Sequence, residues 1–350
     1  MSESTNTATS GERRRGVGGR RLADAFSAVS AMPALAEARR RLLAACDHPA
    51  SSPGDLAEAI ESDAALAVAV MRAANNGAGP PGRVAGLREA VEELSGERVR
   101  ELASGLETYD VLEQPGALSE RHERFRRHAV AVRNATDRIA DIARLANREE
   151  LAVAALLHDV GQLVIAELYG DDYERLAGSG TPEDRVRAER RELGIDHALV
   201  GAVLIRRWGI RAPIAAAVER HHAPDATGHA AAIRLADMIV HHAMGSPTSV
   251  DAMREAASAL GIDEDTLSSL LYEFPHAGAQ RRRSSEPCPL SGREIDALRG
   301  LAEGKVYKQI AQELSLSVST VRTHLHNVYR KIGAVDRAQA VLIARDRGWL

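Results

Sequence analysis

The stretch Ser317–Ile332, SVSTVRTHLHNVYRKI, decides the fold of the C-terminal part of the chain. Its apolar side chains recur at steps of three or four residues, at Val318, Val321, Leu325, Val328 and Ile332. This spacing predicts one buried face of an α-helix. The opposite face carries hydroxyls and cations, which suit contacts with phosphates and base edges in a major groove: Ser319, Arg322, Thr323, His326, Arg330 and Lys331. An ordinary amphipathic surface helix has the same pattern, so the flanking sequence has to decide.

The flanking sequence predicts three further helices. Ser291 and Glu294 have the spacing of a capping box and begin the first of them. The second helix, Lys305–Leu314, is joined to the stretch above by the short turn Ser315–Ser317, as a helix-turn-helix requires. Ser317 is also a suitable N-cap for the third helix. A fourth helix is predicted over Ala338–Asp346.

The whole module, Leu290–Leu350, resembles the LuxR/GerE-type DNA-binding domain. The matching features run along it in order, at Leu290, Arg293-Glu294, Gly304, Ile310-Ala311, Leu314, Thr320-Val321, His324, Lys331-Ile332-Gly333 and Arg337. The resemblance implies a four-helix helix-turn-helix domain. It places the third helix in the major groove of double-stranded promoter DNA and implies a homodimer that often forms through the fourth helix. It requires no cofactor for DNA binding.

The resemblance also implies which side chains meet DNA. Three of them are expected to read base edges or line the groove, at Arg322, Thr323 and His326. Four more are expected to contact phosphates, at Lys308, Ser319, Thr320 and Arg330. The chain departs from the family where Val306-Tyr307 replace the usual pair of small polar residues. A sigma-factor-like promoter-binding module is the related alternative, but no other sigma-like region is visible.

Composition and charge separate this module from the rest of the chain. The module has ten Lys/Arg and six Asp/Glu, a net +4, whereas the whole chain of 350 residues carries −4 and the remainder −8. A basic module on an acidic body indicates that the C-terminal part meets a polyanion. Aromatic residues make up only 3%, which disfavours binding by base stacking.

The remaining composition indicates a cytoplasmic protein with no membrane contact. The two cysteines, Cys46 and Cys288, lie far apart, so neither a disulfide framework nor a zinc cluster follows. The N-terminus lacks the apolar core of a signal peptide. Apolar runs such as Leu151–Leu157 are too short to span a bilayer.

The chain before the module reads as helical almost throughout, so the predicted fold class is all-α. Residues 1–21 are predicted to be a disordered tail, and residues 22–275 to be a helical domain with a helical extension. Residues 276–289 have the composition of a linker, and residues 290–350 form the C-terminal domain. Within the first domain, Glu149–Leu168 is predicted as one continuous helix.

A set of histidines and aspartates in this helical domain has the chemistry of a metal site. His158 and Asp159 are adjacent in LLHDVGQL, and an imidazole beside a carboxylate suits a hard or borderline divalent cation. Ligands from separate helices can converge inside a bundle. The candidates are His128, His158, Asp159 and Asp237, with His197, His221 and His222 as additional ligands. The alternative is that these histidines pack helices or face solvent, and His241 and His242 are assigned to that class.

The order His, His-Asp, Asp resembles HD-type metal phosphohydrolases, in which a metal activates water. A closer resemblance, from about Met32 to Met244, is to the HDOD domain, an HD-related output domain of bacterial signalling. It is carried by MPALAEARRRLL, DLAEAIESDAALAVAVMRAANNGA, LLHDVGQLVI, ELGIDHALVGAVLIRRWGI and IAAAVERHH. The resemblance implies an HD-like helical bundle that holds iron or manganese if its ligands are complete. Many HDOD domains have lost ligands and act as signalling or interaction modules.

Departures from the enzymes favour a signalling role over catalysis. Gln162 stands where HD enzymes commonly carry a lysine, and His221-His222 lack the following Gly-Tyr-Pro signature of cyclic-dinucleotide phosphodiesterases. Without that lysine, negative charge that develops on phosphate is less stabilised. We therefore expect a bacterial transcriptional regulator. In it, an HDOD domain senses a signalling protein or a nucleotide and controls a LuxR-type DNA-binding domain. Rival hypotheses are a metal-dependent phosphohydrolase that acts on a signalling nucleotide and is targeted to DNA, and a protein-binding scaffold.

Overall fold

A computed structural model of the chain describes residues 21–76, 80, 82–110, 116–177, 180–274, 290–302, 305–314, 316–332, 334, 340 and 344. The predicted linker 276–289, and the predicted tail 1–21 except Arg21, lie outside these residues. The chain divides into two compact units, Met1–Pro275 and His276–Leu350. Each unit is helical, which confirms the predicted all-α fold class.

The first unit contains a short parallel β-pair and a series of helices. The strands are β1 (Ala34–Leu35) and β2 (Thr108–Tyr109), paired Ala34 with Thr108 and Leu35 with Tyr109. The helices are α1 (21–30), α2 (Ala36–Asp47), α3 (Pro53–Glu61), α4 (Ala64–Asn75), α5 (Leu87–Leu94), α6 (Gly96–Gly105), α7 (Ala117–Ala143), α8 (Arg148–Leu157), α9 (Val160–Tyr169), α10 (Asp171–Ala177), α11 (Pro182–Leu193), α12 (His197–Arg207), α13 (Ala212–Arg220), α14 (Gly228–Ala243), α15 (Val250–Ala259) and α16 (Glu264–Glu273).

Local sequence signals explain where several of these helices begin. Helix α3 starts with the capping box of Ser52 and Asp55, and α11 with that of Thr181 and Asp184. In each case a proline follows the N-cap, where its missing N–H costs nothing. In α12 the side chain of Asp196 accepts a hydrogen bond from the N–H of Leu199. This cap makes His197 the first residue of α12.

The predicted continuous helix Glu149–Leu168 is wrong in one respect, because it breaks in the middle. Helix α8 ends at Leu157, and α9 begins at Val160. His158 is the C-cap of the first and Asp159 the N-cap of the second. The break lies in the middle of the core and places an imidazole and a carboxylate side by side there.

The backbone of α9 lies very close to that of α12. A Cβ atom placed on Gly161 would lie 1.9 Å from the carbonyl oxygen of His197 and 2.7 Å from the backbone nitrogen of Gly201. Only a glycine allows such an approach. The contact brings Asp159, at the start of α9, close to His197, at the start of α12.

The helices α8 and α9 together form a long apolar segment. Together, Arg148–Tyr169 form a segment of 22 residues that by length and composition could cross a membrane. Within the fold, however, 78% of its apolar window is buried. Leu151, Leu156, Leu157 and Ile165 belong to the main hydrophobic core. Burial in a protein core therefore accounts for this hydrophobicity.

The second unit contains α17 (Gly292–Ala302), α18 (Tyr307–Glu313) and α19 (Val318–Ile332). Their core includes Val321, Leu325 and Val328 of the predicted apolar face, which are fully buried. Ile332 is only half-buried, and Val318, at the start of the helix, is 39% exposed, contrary to the prediction. The predicted fourth helix, Ala338–Asp346, lies outside the described residues except for Ala340 and Ala344, which are buried in the same core.

Candidate metal centre and nucleic-acid interface

Five places in the fold bring the histidines and aspartates of the first unit together. His128 lies on α7, and Asp237 and His241 lie on α14. His158 and Asp159 occupy the α8–α9 break, and His197 is the first residue of α12. The pair His221 and His222 follows α13. All seven predicted ligands therefore meet in one buried cluster.

Asp159 lies in the middle of this cluster and divides it into two sides. On the first side, its Oδ2 atom is 3.5 Å from Nε2 of both His128 and His158. The Oδ1 atom of Asp237 lies 3.0 Å from Nε2 of His128 and 3.8 Å from Nε2 of His158. The two imidazole Nε2 atoms are 3.3 Å apart. Two imidazoles and two carboxylates thus converge on one small volume.

The second side uses the other oxygen of Asp159. Its Oδ1 atom lies 3.2 Å from Nε2 of His197 and 3.8 Å from Nε2 of His221. His222 completes this side, with its Nε2 atom 3.0 Å from that of His197. The donor atoms of these four residues all lie within 4.8 Å of one another. A carboxylate with one oxygen on each side has the arrangement of a bridging ligand.

Hydrogen bonds outside the cluster fix the imidazole rings. The Nδ1 atoms of His158 and His221 lie 2.8 Å and 2.6 Å from the carbonyl oxygens of Ala155 and Val218. An Nδ1–H that donates to a carbonyl leaves the Nε2 lone pair directed at the cluster centre. The buried Nε2 atom of His221 has no hydrogen-bond partner in the described part of the chain.

His197 is oriented by a carboxylate instead. Its Nδ1 atom lies 2.7 Å from Oε2 of Glu189, which is completely buried on α11. The hydroxyl of Tyr173 donates to the other oxygen of Glu189 at 2.7 Å. A carboxylate behind a metal-ligating histidine is a frequent arrangement, since it fixes the ring and raises its basicity.

The electrostatics of the cluster stabilise a positive charge on His197 and disfavour one on His221. Burial opposes the charged form of His197, but Glu189 and Asp159 outweigh it and raise the pKa of His197 to about 10. Burial likewise acts against ionised Asp159, yet the adjacent His158 and His197 hold its pKa well below the ordinary value. Burial lowers the pKa of His221 to about 4, with the neighbouring His158 acting in the same direction.

This donor set fits a divalent metal. The ligands are imidazole nitrogens and carboxylate oxygens, which suit iron, manganese or zinc. The pairs of facing Nε2 atoms and the orphaned Nε2 atom of His221 are poorly explained by hydrogen bonding alone. Both carboxylates that face these nitrogens, Asp159 and Asp237, have lowered pKa values, because nearby histidines outweigh burial. A cation would take the place that protons on the histidines otherwise fill.

His241, which the sequence assigns to helix packing or the surface, lies beside the cluster. Its Nε2 atom lies 3.3 Å from Oδ1 of Asp237, and its ring centroid is 4.8 Å from that of His128. His128, Asp237 and His241 form a further group with the spacing of metal ligands. The sequence contained a signal for this, since His241 follows Asp237 by one helical turn and must share its face.

The candidate DNA interface lies on the second unit. Six of its seven predicted contact residues are exposed on α18 and α19, and the seventh, Thr320, is half-buried. The hydroxyl oxygen of Ser317 accepts a hydrogen bond from the N–H of Thr320 at 3.0 Å, so Ser317 caps α19 as predicted. Thr323 donates its hydroxyl to the carbonyl of Ser319. The roles of these side chains toward DNA stay predictions.

Tyr307 is a candidate functional residue that the sequence analysis did not select. The guanidinium carbon of Arg322 lies 5.9 Å from the centroid of the Tyr307 ring. This distance allows a cation–π contact. The Tyr307 ring of the unusual Val306-Tyr307 pair thus lies beside the side chain that the sequence singled out for base reading. Gln309 accepts a hydrogen bond from the N–H of Val306 and so assists the start of α18.

Two family models match the chain, one in each of its two units. The HDOD domain model matches residues 32–224, more than half of the chain, and the chain therefore belongs to the HDOD domain family. The model for bacterial regulatory proteins of the luxR family matches residues 288–344. The protein thus combines an N-terminal HDOD domain with a C-terminal LuxR-type helix-turn-helix domain.

Individual relatives show the same division. The uncharacterized transcriptional regulatory protein YxjL of Bacillus subtilis is 35% identical over 100 residues, which cover 28% of this chain and 46% of the relative. The CsgBAC operon transcriptional regulatory protein of Escherichia coli is 40% identical over 75 residues, covering 21% and 35%. The chain thus spans less than half the length of either curated relative.

Among solved structures, the MmoQ response regulator of Methylococcus capsulatus has a TM-score of 0.52 and is 22% identical. The match covers 69% of this chain and 98% of that one. At this identity the similarity establishes the fold alone.

Proposed function

We propose that the protein is a bacterial transcriptional regulator that binds double-stranded promoter DNA through α19. The match to the luxR family over residues 288–344 carries this proposal. The exposed cationic and hydroxyl face of α19 supports it, because backbone phosphates and base edges require these groups. The names of the relatives, which are transcriptional regulatory proteins, agree with it.

In this proposal Arg322, Thr323 and His326 lie in the major groove. Lys308, Ser319, Thr320 and Arg330 contact the phosphates on either side. The DNA-binding unit is a homodimer, since paired recognition helices suit operators with two-fold symmetry. The functional domains are residues 22–275 and 290–350, joined by the linker 276–289. The first domain controls the second, and the protein acts in the cytoplasm.

The test is to find promoter fragments that the full-length protein binds and to measure their affinity as salt concentration changes. Arg322→Ala should weaken binding to the specific fragment by about 1–3 kcal/mol, which is the contribution of a good base contact. Arg299→Ala is the matched control. Arg299 is an exposed arginine of α17 that lies 3.4 Å from Asp296, so its loss removes the same charge from another helix. Equal loss in both variants, or no promoter binding at all, would contradict the proposal.

The HDOD domain is proposed to be the sensor, and its buried cluster is proposed to hold iron or manganese. On the first side of the cluster the metal ligands would be His128, His158, Asp159 and Asp237. On the second side they would be Asp159, His197, His221 and His222. When bound, a divalent metal polarises phosphoryl oxygens and lowers the pKa of water. The chain's own residues orient the ligands, exclude solvent and supply the negative charge. The convergent donor set also favours a second candidate function, phosphohydrolysis of a signalling nucleotide.

Metal analysis of the purified protein tests this part. Wild type should retain iron or manganese at a stoichiometric level, and His158→Ala and Asp159→Ala should lose most of it. His229→Ala is a suitable control, since His229 is a half-buried histidine outside the cluster, and its Nε2 lies 2.9 Å from the carbonyl oxygen of Ala146. Equal, substoichiometric metal in all four proteins would remove the metal site. Turnover of a nucleotide with manganese would favour the enzyme over the sensor.

A further inference from the structure

The first residue of α19 leaves an apolar side chain exposed beside the candidate DNA-binding face. Val318 is 39% exposed, although its spacing places it with the buried residues Val321 and Leu325. Helical side chains lean toward the N-terminus of their helix, so the side chain of Val318 extends past the first turn of α19. Single exposed valines are common on protein surfaces. The neighbours of this valine therefore decide what it can bind.

Val318 lies on one row of the helix with two side chains that are proposed to read bases. Arg322 and His326 follow it at intervals of four residues, and both are exposed. Residues at this interval are neighbours on a helix, with Cβ atoms about 5–6 Å apart. Successive base pairs are about 3.4 Å apart along the DNA axis. A helix that places Arg322 on one base pair therefore places Val318 within about two base pairs of it.

Hydrogen bonds fix the first turn of α19, and with it the position of Val318. The Oγ atom of Ser317 accepts a hydrogen bond from the N–H of Thr320 at 3.0 Å. The same atom lies 2.7 Å from Oγ1 of Thr320 and 2.7 Å from Oγ of Ser319. Valine is itself stiff, because a β-branched side chain has one strongly preferred rotamer in a helix. Val318 is thus a rigid apolar group that loses little conformational entropy when a partner covers it.

One group in the major groove matches an apolar side chain. Thymine presents its C5-methyl group there, whereas the other base edges present hydrogen-bond donors and acceptors. An isopropyl group that covers a donor or an acceptor removes water from it and offers no hydrogen bond in return. Arg322 has the opposite preference, because its guanidinium suits the O6 and N7 atoms of guanine. The row therefore combines a polar reader with an apolar one.

We propose that Val318 is a specificity-determining residue whose side chain contacts the C5-methyl group of a thymine in the operator. The thymine lies within about two base pairs of the base that Arg322 contacts. This inference rests on the proposed binding of promoter DNA through α19, and it names one base that this helix selects. The contact favours a T·A pair over the other base pairs at that position.

Replacement of thymine by deoxyuridine tests the proposal, because deoxyuridine lacks only the C5-methyl group. Each thymine of a promoter fragment that the full-length protein binds is replaced in turn, and the affinity is measured at one fixed salt concentration. At least one replacement should weaken binding by wild type about two- to fivefold, as expected for one methyl group that is no longer buried. Unchanged affinity after every replacement would overturn the proposal.

The variant Val318→Ala assigns the effect to this side chain. It should bind the thymine fragment about two- to fivefold more weakly than wild type, and deoxyuridine at the sensitive position should cause no further loss. Alanine forms helices better than valine, so α19 should persist, and circular dichroism checks this. A loss on deoxyuridine as large as that of wild type would overturn the proposal. So would a loss from Val318→Ala that is equal on the two fragments, since that side chain would then contact the sugar–phosphate backbone.

Val250→Ala is the matched control. Val250 is the first residue of α15 and follows the N-cap Ser249, so it has the same place in its helix as Val318. It is also exposed, but it lies in the first unit. This variant should bind both fragments as wild type does. Weaker binding by Val250→Ala with the same dependence on deoxyuridine would contradict the assignment to Val318.

Arg322→Ala in the same assay separates this inference from the proposed function. If Arg322→Ala weakens promoter binding while Val318→Ala and deoxyuridine have no effect, the inference is overturned and the regulator proposal stands. If wild type binds no promoter fragment, both are contradicted.

Discussion

The two candidate sites differ in how the chain builds them. The histidine cluster collects buried side chains from positions as distant as His128 and Asp237, and tertiary packing alone brings them together. The candidate DNA-binding face collects mostly exposed side chains from two consecutive helices, α18 and α19, so local sequence specifies it almost completely. The cluster should therefore be sensitive to changes in helix packing that lie outside it. The recognition face should be sensitive mainly to its own residues.

The strongest test of this contrast is Gly161→Ala. The added Cβ atom would meet the carbonyl oxygen of His197 at 1.9 Å, and backbone atoms cannot move aside as a flexible side chain can. We expect the first unit to lose about 3 kcal/mol or more of its free energy of unfolding. Metal binding should be lost with it. Calorimetry and metal analysis measure the two effects.

Gly105→Ala is the control for this substitution. Gly105 is also helical, but a Cβ atom there meets nothing within 4 Å. It should leave stability unchanged or raise it slightly, by up to about 1 kcal/mol. The unfolding transition of the second unit should stay near that of wild type in both variants, because this unit has its own core. A stable Gly161→Ala protein with full metal content would show that the α9–α12 approach does not determine the cluster.

The second test removes the charge behind His197. Glu189→Gln keeps a side chain of the same shape but lacks the negative charge that, after the opposing effect of burial, raises the pKa of His197. We expect manganese affinity to fall about 10- to 100-fold, as for other residues that orient a ligating histidine. Isothermal titration of metal into stripped protein measures it. Glu192→Gln on the exposed face of the same helix should have no effect, and equal losses would contradict the orienting role.

A third test uses Glu294, the buried carboxylate of the second unit. Burial acts against its ionised form, but Lys331 and the N–H of Ser291, both at 2.7 Å, outweigh this and lower its pKa. A lowered pKa contributes stability above the ordinary value of about 4.3, and this stability is lost as pH falls through the folded value. Glu294→Gln should therefore cost about 1 kcal/mol at pH 7, with the difference from wild type shrinking below about pH 4.

Calorimetry of the unfolding transition of the second unit, at pH 7 and below about pH 4, measures this difference. Glu313→Gln is the control, because Glu313 pairs with Lys305 at 2.7 Å on an exposed surface. It should cost less than about 0.5 kcal/mol at either pH. A difference for Glu294→Gln that is independent of pH would show that its charge does not stabilise the domain.

The same contrast explains what the sequence could predict. The apolar spacing of Val321, Leu325 and Val328 predicts α19 correctly, because helical periodicity is a local property. The seven candidate ligands could be selected by residue type, and the structure brings them together. Their division into two sides around Asp159 could not be predicted, since it depends on a helix break and on one close helix–helix approach. Glu189 was missed for the same reason, because nothing local distinguishes it from the exposed acids of α11.

The smallest expected effect is that of Tyr307→Ala, which tests the contrast at the candidate DNA-binding face. Side chains that contact DNA independently should show no coupling between α18 and α19, yet the Tyr307 ring on α18 lies 5.9 Å from the guanidinium carbon of Arg322 on α19. An exposed cation–π contact contributes about 0.5–1 kcal/mol, so Tyr307→Ala should weaken promoter binding about two- to fivefold. Val306→Ala, at the exposed neighbouring position, should leave it unchanged. In the double variant with Arg322→Ala, the effect of Tyr307→Ala should vanish, because a contact that acts through Arg322 has nothing left to orient. Additive losses would instead place Tyr307 directly on the DNA.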